Sequence, residues 1–504
     1  MEILPFGRRA LLARVGTGLD PALLGKVLAM DRHVRKRPGV RETLPAYASL
    51  LVFYDPEEVS GEQVRAWLTE PQPSALPEGR LHEVPVVYGG EFGPDLPEVA
   101  RWAGISEAEA VRLHAGVEYL VYMLGFSPGF PYMGSVPEAI AVPRLPQPRP
   151  RVPAGSVAVA GRQTGIYPSS TPGGWRILGR TPLQLFDPSR QPPARFEVGD
   201  RVRFVPVERA DWEVPVASTA EDSDGTPALA VLDGGLLSTV QDLGRSGYRR
   251  YGVPPSGAMD PRALEAANAC VGNPPECAGL EFTWPAPTLE ALVDVEVALF
   301  GADFGAEVDG RPVPNGAAVR LRRGQVLRFR APRAGAWAYL ALGGGVGRSP
   351  VLGSRSTHVP SGLGGRPLRR GDVLRQGRPV GGVPARGCQV AEGPVRVLPG
   401  PHPHAFPPGA LEHLLGAQYV VSARSDRSGY RLQGPAIGHA GAGEILSEGM
   451  AVGAVQVPPS GQPIVLMPDG PTAGGYPVLA VVLEEDLPRL AQKRPGEPVR
   501  FVLA

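Results

Sequence analysis

Arginines alternate with a carboxylate in the segment Arg424-Ser-Asp426-Arg427-Ser-Gly429-Tyr-Arg431. Guanidinium groups form planar forks that match a carboxylate, so alternate cations on a strand-turn could bind a planar anion. A solvated cluster whose charges pair with one another explains the same spacing. Asp242-Leu-Gly-Arg245 and Glu281 are open to the same two interpretations.

A second group of residues with possible chemistry is the pair His402 and His404, which flank Pro403. Alternate histidines can ligate one metal ion if the loop curls. No cysteine, aspartate or glutamate stands nearby in the sequence to complete a ligand set. A surface turn is therefore favoured, and we expect no metal site.

Two glycine-rich strings match enzyme motifs only in part. Gly125-Phe-Ser127-Pro-Gly129 has the spacing of a nucleophile elbow, but the residue after the serine must donate a backbone N–H, and Pro128 has none. Gly343 to Gly347 follows a predicted strand, but Arg348 replaces the third glycine of the dinucleotide fingerprint. A flexible barrel loop is favoured there over an anion-binding nest that uses Arg348 and Arg355.

The scarcity of lysine excludes two further kinds of site. The chain has three lysines, Lys26, Lys36 and Lys493. None lies in the glycine-rich P-loop that holds ATP phosphates, and none stands between methionines, the context of the lysine that carries biotin. We expect neither an ATP-binding P-loop nor covalent biotin in this chain.

Composition favours a β-rich protein of several domains. A length of 504 residues predicts two to four domains. Gly 66 and Pro 59 imply many turns and short strands. The net charge of +1, the three cysteines without paired spacing and the lack of a long apolar run predict a cytoplasmic protein that binds neither nucleic acid nor membrane.

Local signals divide the chain into five segments. A small α/β module is expected over 1–84, where Asp20-Pro21 and Ser60 begin helices and where 49–54 and 81–88 are strands. A β-barrel is expected over 85–210, a polar linker over 211–226, and β-rich subdomains over 227–388 and 389–504.

Parts of the two halves repeat in the same order. Gly155 to Val159, Gly173-Gly174-Trp175 and Gly199 to Val205 correspond to Gly453 to Val457, Gly474-Gly475-Tyr476 and Gly496 to Val502. A turn glycine before alternating apolar residues is common in barrels, but three such elements in one order favour duplication of a barrel unit. We expect three related barrels or half-barrels after the N-terminal module.

Several strings resemble two related families. The first-half strings resemble the B subunit of 5-oxoprolinase (the kinase A inhibitor and allophanate hydrolase subunit 1 family). They are Pro5 to Gly7 with Ala10 to Leu12, Pro45 to Val52 with Tyr54-Asp55, Tyr119 to Gly134, Arg151 to Ser156, Gln163 to Pro168 and Pro172 to Pro182. The second-half strings resemble the C subunit of the same enzyme (the biotin-dependent carboxyltransferase-like and allophanate hydrolase subunit 2 family). They are Thr239 to Arg245, Gly252 to Asp260, Leu352 to Thr357, Ser425 to Gly429, Ser447 to Gly449 and Gly453 to Pro458. The chain resembles a natural fusion of these two proteins.

This resemblance implies a mainly β protein with a small α/β N-terminal module and tandem cyclophilin-like β-barrel domains. It implies a component of ATP-dependent 5-oxoprolinase, which opens 5-oxo-L-proline to L-glutamate with a separate A subunit, uses ATP in the complex and is inactive alone. One alternative is a urea-carboxylase or allophanate-type carboxyltransferase domain that takes carboxybiotin from another protein. A further alternative is a non-enzymatic inhibitor that binds a sensor histidine kinase. A homo-oligomer is also expected.

The reaction sets what the site must contain. A lactam is a poor electrophile, so its opening needs arginines for the substrate carboxylate, donors for the oxyanion and a carboxylate to move protons. The resemblance suggests Arg427, Arg355 and Arg245 as anion-binding residues and Asp426, Glu448 and Asp242 as catalytic residues. The residues expected on the facing wall, from the first half, are His114, Arg151, Gln163 and Tyr167. We expect one arginine-lined cleft between the two halves.

The chain departs from the family pattern at one place. The family reads D-x-Q-T-T-G-G-Y where this chain has Asp469-Gly-Pro471-Thr472-Ala473-Gly-Gly-Tyr476. The exchange removes a glutamine and a threonine hydroxyl that could bind substrate, so the substrate could differ.

Overall fold

The computed structural model describes residues 1–71, 75–211, 225–377 and 393–504. The expected boundary at 388/389, Cys388 and nearly all of the expected linker at 211–226 lie outside these residues. Among the described helices, none combines the length and the hydropathy required to span a bilayer.

The N-terminal module is a four-stranded sheet with two helices. Its elements are β1 (Glu2–Pro5), β2 (Ala10–Arg14), α1 (Pro21–Val34), β3 (Val40–Pro45), β4 (Ser49–Tyr54) and α2 (Gly61–Thr69), and the strand order is β1-β2-β4-β3. The predicted N-caps are confirmed, because the side chain of Asp20 accepts the N–H of Ala22 and that of Ser60 accepts the N–H of Gln63.

Alternation along β2 and β4 gives this sheet two buried faces. Leu11 and Leu50 pack under the helices. Leu12 and Leu51 point the other way and pack against a cluster from the second half that includes Met450. Because successive side chains of a strand face opposite sides, the module is a layer between its own helices and the second half.

The first barrel is closed by seven strands. Its elements are β5 (Leu81–Tyr88), α3 (Leu96–Ala103), α4 (Glu107–Ala115), β6 (Glu118–Leu124), β7 (Pro131–Gly134), β8 (Arg149–Val152), β9 (Ser156–Ala160), β10 (Gln163–Ile166), β11 (Thr171–Gly173), β12 (Arg176–Arg180) and β13 (Arg201–Pro206). The circular order is β5-β12-β9-β10-β7-β6-β13, while β8 and β11 pair outside the barrel.

The middle of the chain contains two open sheets and a helix. The elements are β14 (Thr226–Asp233), β15 (Ser238–Gln241), α5 (Pro261–Cys270), β16 (Gly279–Phe282), β17 (Thr288–Ala291), β18 (Val295–Asp303), β19 (Ala306–Val308), β20 (Arg311–Pro312), β21 (Ala317–Leu321), β22 (Val326–Phe329), β23 (Ala334–Leu342) and β24 (Val373–Gln376). The orders β20-β19-β22-β17-β14-β24 and β15-β16-β23-β18-β21 leave both sheets open, and one apolar cluster joins them. Barrels or half-barrels are expected after the N-terminal module, and in the described part of this unit the strands form two open sheets rather than a closed barrel.

The second barrel has seven strands as well. Its elements are β25 (Val395–Pro399), α6 (Ala410–Gly416), β26 (Gln418–Val421), β27 (Gly429–Gln433), β28 (Glu448–Gly449), β29 (Ala454–Gln456), β30 (Ile464–Leu466), β31 (Ala473–Gly474), β32 (Val478–Val482), α7 (Leu487–Ala491) and β33 (Pro498–Leu503). The circular order is β25-β32-β29-β30-β27-β26-β33, and β28 pairs with β31 outside.

The two barrels share one topology strand for strand. β5, β12, β9, β10, β7, β6 and β13 occupy the same circular positions as β25, β32, β29, β30, β27, β26 and β33. Each barrel closes through one parallel pair, β13 with β5 and β33 with β25. The repeated strings predict this duplication, since they place a turn glycine before β9 and β29 and before β13 and β33.

A long loop from the middle unit binds the N-terminal module. Nη1 of Arg249 donates to Oε2 of Glu42 at 2.8 Å, and Nη2 of Arg250 donates to Oδ2 of Asp31 at 3.1 Å. The loop also reaches the first barrel, where the N–H of Gly129 donates to the carbonyl of Tyr251 at 2.8 Å. These contacts fix the halves relative to each other.

We expect Leu51→Ala to lower the free energy of unfolding by about 2–5 kcal/mol, because it leaves a cavity in a closed apolar interface. Leu51 is fully buried, and a Cβ built on Gly449 would lie 2.9 Å from the Leu51 Cβ. Chemical denaturation followed by tryptophan fluorescence measures the change. Leu243→Ala, at a 42% exposed position, is the control, and an equal effect of both variants would contradict the packing argument.

Candidate functional site

A cavity of about 240 Å³ lies where the N-terminal module meets the second barrel. Its wall includes Arg14, Ala48 and Ser49 from the module and His402, His404 and Glu448 from the second half. The two halves of the chain therefore form this cavity together.

An ion pair joins the halves in the cavity wall. Nε of Arg14 donates to Oε1 of Glu448 at 2.9 Å, and Nη2 donates to Oε2 at 3.2 Å. Both side chains are nearly buried, with 11% and 9% exposure. A bidentate arginine–carboxylate pair with this little solvent is strong and directional, so it fixes the two residues relative to each other.

His402 binds the same carboxylate in one tautomer. The N–H of Val478 donates to Nδ1 of His402 at 3.1 Å, so the ring proton lies on Nε2, which donates to Oε2 of Glu448 at 3.0 Å. Burial lowers the pKa of His402 and keeps the ring neutral. Burial also opposes the charge of Glu448, but hydrogen bonds from His402 and Arg14 outweigh it and lower the pKa of Glu448. An ionised carboxylate of this kind is a weak base and suits anchoring better than proton transfer.

The first barrel contains an equivalent arrangement. Oδ2 of Asp95 accepts the N–H of Ile177 on β12 at 2.7 Å, and Oδ1 accepts Nη2 of Arg149 on β8 at 2.7 Å. β12 and β8 are the counterparts of β32 and β28, whose residues bind His402. In both barrels one loop side chain thus ties a barrel strand to the short strand outside it, which supports a positioning role for His402.

Ser49 and His404 of the cavity wall have side chains without a hydrogen-bond partner among the described residues. Ser49 is 1% exposed, and its Oγ has no hydrogen-bond partner among the described residues. His404 lies in the short 3-10 turn Pro403–Ala405, and its ring forms no hydrogen bond within the described ranges. The turn expected at the surface contains one exposed histidine, His404, and one buried histidine, His402.

Arg427 lies in a buried charge network outside the cavity. Nε and Nη2 donate to the two carboxylate oxygens of Asp469 at 2.9 and 3.1 Å, Nη1 donates to Oε1 of Glu281, and Nη2 also donates to the carbonyl of Gly257 at 2.7 Å. Burial opposes the charge, but the carboxylates of Asp469 and Glu281 outweigh it and raise the pKa of Arg427. Both carboxylates that bind this guanidinium are internal, and the network ties β16 of the middle unit to the second barrel.

Asp242 organises the loop that contains Arg355. Oδ1 of Asp242 accepts the hydroxyls of Ser354 and Ser356 at 2.7 and 2.5 Å, and Oδ2 accepts the N–H of Arg355 at 2.6 Å. The Arg355 side chain donates from Nε to the carbonyl of Arg348 at 2.7 Å. With these bonds, Asp242 acts as the centre of a turn rather than as a group open to substrate.

Asp426 is exposed and holds its own turn. Its Oδ1 accepts the N–H groups of Ser428 and Gly429 at 2.8 and 3.2 Å, which is the pattern of an Asx turn. This turn presents the neighbouring Arg427 to its buried partners.

Arg245 is the predicted arginine with unused donors. It is 3% exposed, and Nη2 donates to the carbonyl of Ser356, while Nε and Nη1 have no partner in the described part of the chain. Burial lowers the pKa of Arg245 to about 10. It lies near Asp242 and Asp469, not in the cavity wall.

His114 belongs to the core of the first barrel. The Thr164 hydroxyl donates to the carbonyl of Ala158, so its oxygen accepts Nε2–H of His114 at 3.0 Å, and the Tyr88 hydroxyl donates to Nδ1 at 2.8 Å. Burial lowers the pKa of His114 to about 3. A neutral, doubly bonded ring stacked on Phe204 at 4.7 Å is a packing residue.

Of the other predicted first-half residues, Gln163 and Tyr167 contact an aromatic cluster, and Arg151 lies at the surface. Nε2 of Gln163 donates to the Tyr47 hydroxyl at 2.6 Å, and Tyr167 is 2% exposed in the cluster with Phe130 and Trp175. Arg151 is exposed and donates from Nε to Oγ of Ser170 at 2.9 Å. Ala473, at the departure from the family pattern, packs in the same cluster and so joins the second half to it.

Of the predicted site residues, the wall of the described cavity contains Glu448 alone. Sequence reasoning missed Arg14 and Ser49 as site residues. One signal could have found Arg14: it continues the face of β2 that Ala10 and Leu12 define, and a charged residue on a buried face requires a partner.

Two tandem barrels, two open sheets between them and a cavity shared by the halves define a two-part carboxyltransferase-like protein. The family described as "Carboxyltransferase domain, subdomain C and D" matches residues 1–196, and "Carboxyltransferase domain, subdomain A and B" matches residues 251–503. The chain belongs to this carboxyltransferase-domain family, and it joins a half similar to the B subunit of 5-oxoprolinase to a half similar to the C subunit of that enzyme.

Individual relatives cover the chain half by half. The 5-oxoprolinase B subunit of Bacillus subtilis is 42% identical over 227 residues, which is 42% of this chain and 95% of the relative. The 5-oxoprolinase C subunit of Escherichia coli is 40% identical over 280 residues, 54% of this chain and 90% of the relative. Urea amidolyase of Lachancea kluyveri is 31% identical over 307 residues, 55% of this chain but 17% of that protein.

A solved structure covers both halves together. The crystal structure of TTHA0988 is 40% identical, has a TM-score of 0.86 and covers 98% of this chain and 99% of that chain. The arrangement of both halves in one polypeptide therefore has a counterpart of nearly equal extent.

We expect Arg427→Met to lower the free energy of unfolding by about 3–5 kcal/mol, because it leaves the carboxylates of Asp469 and Glu281 buried without the guanidinium that binds them. The denaturation midpoint measures the loss. Arg424→Met, at an exposed position three residues earlier, is the matched control. A stability equal to that of the control would show that Arg427 is free for another role.

His114 predicts a pH dependence of stability. The folded ring stays neutral down to about pH 3, whereas the unfolded ring takes up a proton near pH 6.5, so its contribution is complete above pH 6.5 and is lost as the pH falls. The loss approaches roughly 1.4 kcal/mol per pH unit. We expect His114→Gln to flatten the fall in stability between pH 6.5 and pH 4 and the exposed control His413→Gln to leave it unchanged. Equal slopes in all three proteins would refute this assignment.

Proposed function

We propose that this chain is the joined B and C component of an ATP-dependent 5-oxoprolinase and acts with a separate A subunit. The reaction is the opening of 5-oxo-L-proline to L-glutamate. Relatives named as the B and C subunits of 5-oxoprolinase are matched over 95% and 90% of their own lengths, so the chain contains nearly all of each.

The cavity at the contact of the halves carries this proposal. Arg14 from the first half, which resembles the B subunit, and Glu448 from the second half, which resembles the C subunit, bond across its wall. Neither half therefore forms the wall alone. A covalent link between the halves keeps them at an effective concentration of roughly millimolar, which favours this contact.

The chemistry of the reaction divides between this chain and its partner. A five-membered lactam resists attack by water, and transfer of phosphate from ATP to its oxygen makes the ring carbon electrophilic. No lysine of this chain stands in a P-loop, so ATP would be held in another way or with the A subunit. The cavity supplies hydrogen-bond donors that could stabilise negative charge on a substrate oxygen.

One observation favours a second candidate function. The second half of the chain is 31% identical to urea amidolyase, and the matched family is named for carboxyltransfer. In that function the cavity would receive urea and a carboxyl group from biotin on another protein, since this chain has no lysine in the context of a biotin site.

Product analysis separates the two functions. Labelled 5-oxo-L-proline is incubated with the chain, ATP and the A subunit, and we expect labelled glutamate together with ADP only when all three are present. A parallel reaction contains urea and a carboxylated biotin carrier protein. Formation of carboxylated urea without any glutamate would favour the urea carboxyltransferase function over the 5-oxoprolinase function.

A matched pair of variants tests the cavity in this reaction. Arg14→Gln removes the bond to Glu448 and is expected to slow glutamate formation about tenfold, which corresponds to about 1.4 kcal/mol. Arg9→Gln removes a surface ion pair between the same halves, to Glu484 at 2.8 Å, and is expected to have little effect. Equal rates of glutamate formation in both variants would show that the cavity takes no part in the reaction.

A further inference from the structure

We propose that the cavity at the contact of the halves binds a small carbonyl compound with at most one negative charge, held by Ser49 and His404. This inference deepens the proposed function and rests on it for the choice of ligand. It also places the phosphates of ATP outside this cavity.

The strands position Ser49 for this role. Ser49 begins β4 directly opposite Arg14 of β2, so both side chains lie on the face that continues from Leu12 and Leu51 toward the second half. The backbone of Ser49 is held, since its carbonyl accepts the N–H of Ala46 at 2.9 Å. Its Oγ lines the cavity, is buried and has no partner among the residues described. A buried hydroxyl without a bond costs about 1–3 kcal/mol, and a ligand oxygen in the cavity would remove that cost.

His404 is the ionisable group of the described wall that has no hydrogen bond. Arg14 and His402 both bind Glu448, which accepts three hydrogen bonds from them. The His404 ring packs near the His402 ring at a centroid distance of 6.2 Å. His404 thus lies beside His402, and its ring nitrogens can donate or accept a hydrogen bond in the cavity.

Charge and size limit the ligand. Arg14 and Glu448 neutralise each other, so the wall has no excess of cations to hold a polyphosphate. A volume of about 240 Å³ equals about eight water molecules, and it is smaller than the roughly 300–1,000 Å³ of pockets that enclose drug-sized molecules. Arg14 uses three of its five N–H groups, since Nη1 also donates to Oε2 of Glu2 at 3.3 Å. Its other N–H groups, which have no partner among the described residues, and the hydroxyl of Ser49 are donors, so the ligand must present oxygen acceptors. A small cyclic amide with one carboxylate meets these conditions, and a nucleoside triphosphate does not.

Calorimetric titration of the full chain with 5-oxo-L-proline tests the proposal in the absence of ATP and of the A subunit. We expect saturable binding that Ser49→Ala and His404→Gln each weaken about three- to tenfold, the effect of losing one hydrogen bond. Thr17→Trp, at an exposed position on the cavity rim, should abolish binding by filling the space. A non-hydrolysable ATP analogue should not compete.

Matched controls keep the result specific. Ser460→Ala and His413→Gln change the same residue types at exposed positions outside the cavity wall and should retain full affinity. Melting curves confirm that each variant is folded. Binding that is absent in the wild type, unchanged in both Ser49→Ala and His404→Gln, or displaced by the ATP analogue overturns the proposal.

The outcome is distinguishable from a failure of the proposed function. Glutamate formation by the reconstituted complex with no binding to the isolated chain refutes only the ligand assignment of this cavity. Binding of 5-oxo-L-proline at Ser49 and His404 without glutamate formation refutes only the proposed activity.

Discussion

The burial of the second face of the N-terminal sheet is the constraint on which the rest of the structure depends. A sheet with one face under its own helices and the other exposed would leave Leu12 and Leu51 in water. The second barrel covers that face. Where the apolar contact ends, Arg14 would be a charge at the edge of a closed interface, and Glu448 neutralises it. The cavity lies at this edge, where hydrogen bonds hold Arg14 and Glu448 in place but apolar side chains no longer fill the space.

The two barrels share one topology but carry different side chains at equivalent positions. The same strand positions support Asp95 with Arg149 in one barrel and His402 with Glu448 in the other. The position in each case requires a side chain that accepts a backbone N–H and binds a neighbour, and both aspartate and neutral histidine can do so. In the second barrel, Glu448 of this pair also binds Arg14 of the N-terminal module, so the bond between His402 and Glu448 is part of the cavity wall.

Arg427 illustrates how one pattern of charges can fit two structural interpretations. Arg427 has the alternate charges expected of an anion-binding turn, yet it lies in the core of the contact between the middle sheets and the second barrel. A buried guanidinium must have partners, and Asp469 and Glu281 come from distant parts of the chain. The sequence left two interpretations open, a ligand site and a paired cluster of charges. They differ in whether carboxylates of the protein lie beside the arginine, and residue spacing does not give that information.

The sequence by itself determined the strands, their alternation, the helix caps at Asp20 and Ser60, the duplicated barrel topology and the family. These properties depend on local propensity, on period-two burial and on strings long enough to be specific. Only the tertiary structure decided which residues share a cavity. Arg14 and Ser49 pair on neighbouring strands of the first half, whereas His402 comes from the second half. They meet because one surface packs on the other. Packing is a property of the whole interface, so no single segment encodes it.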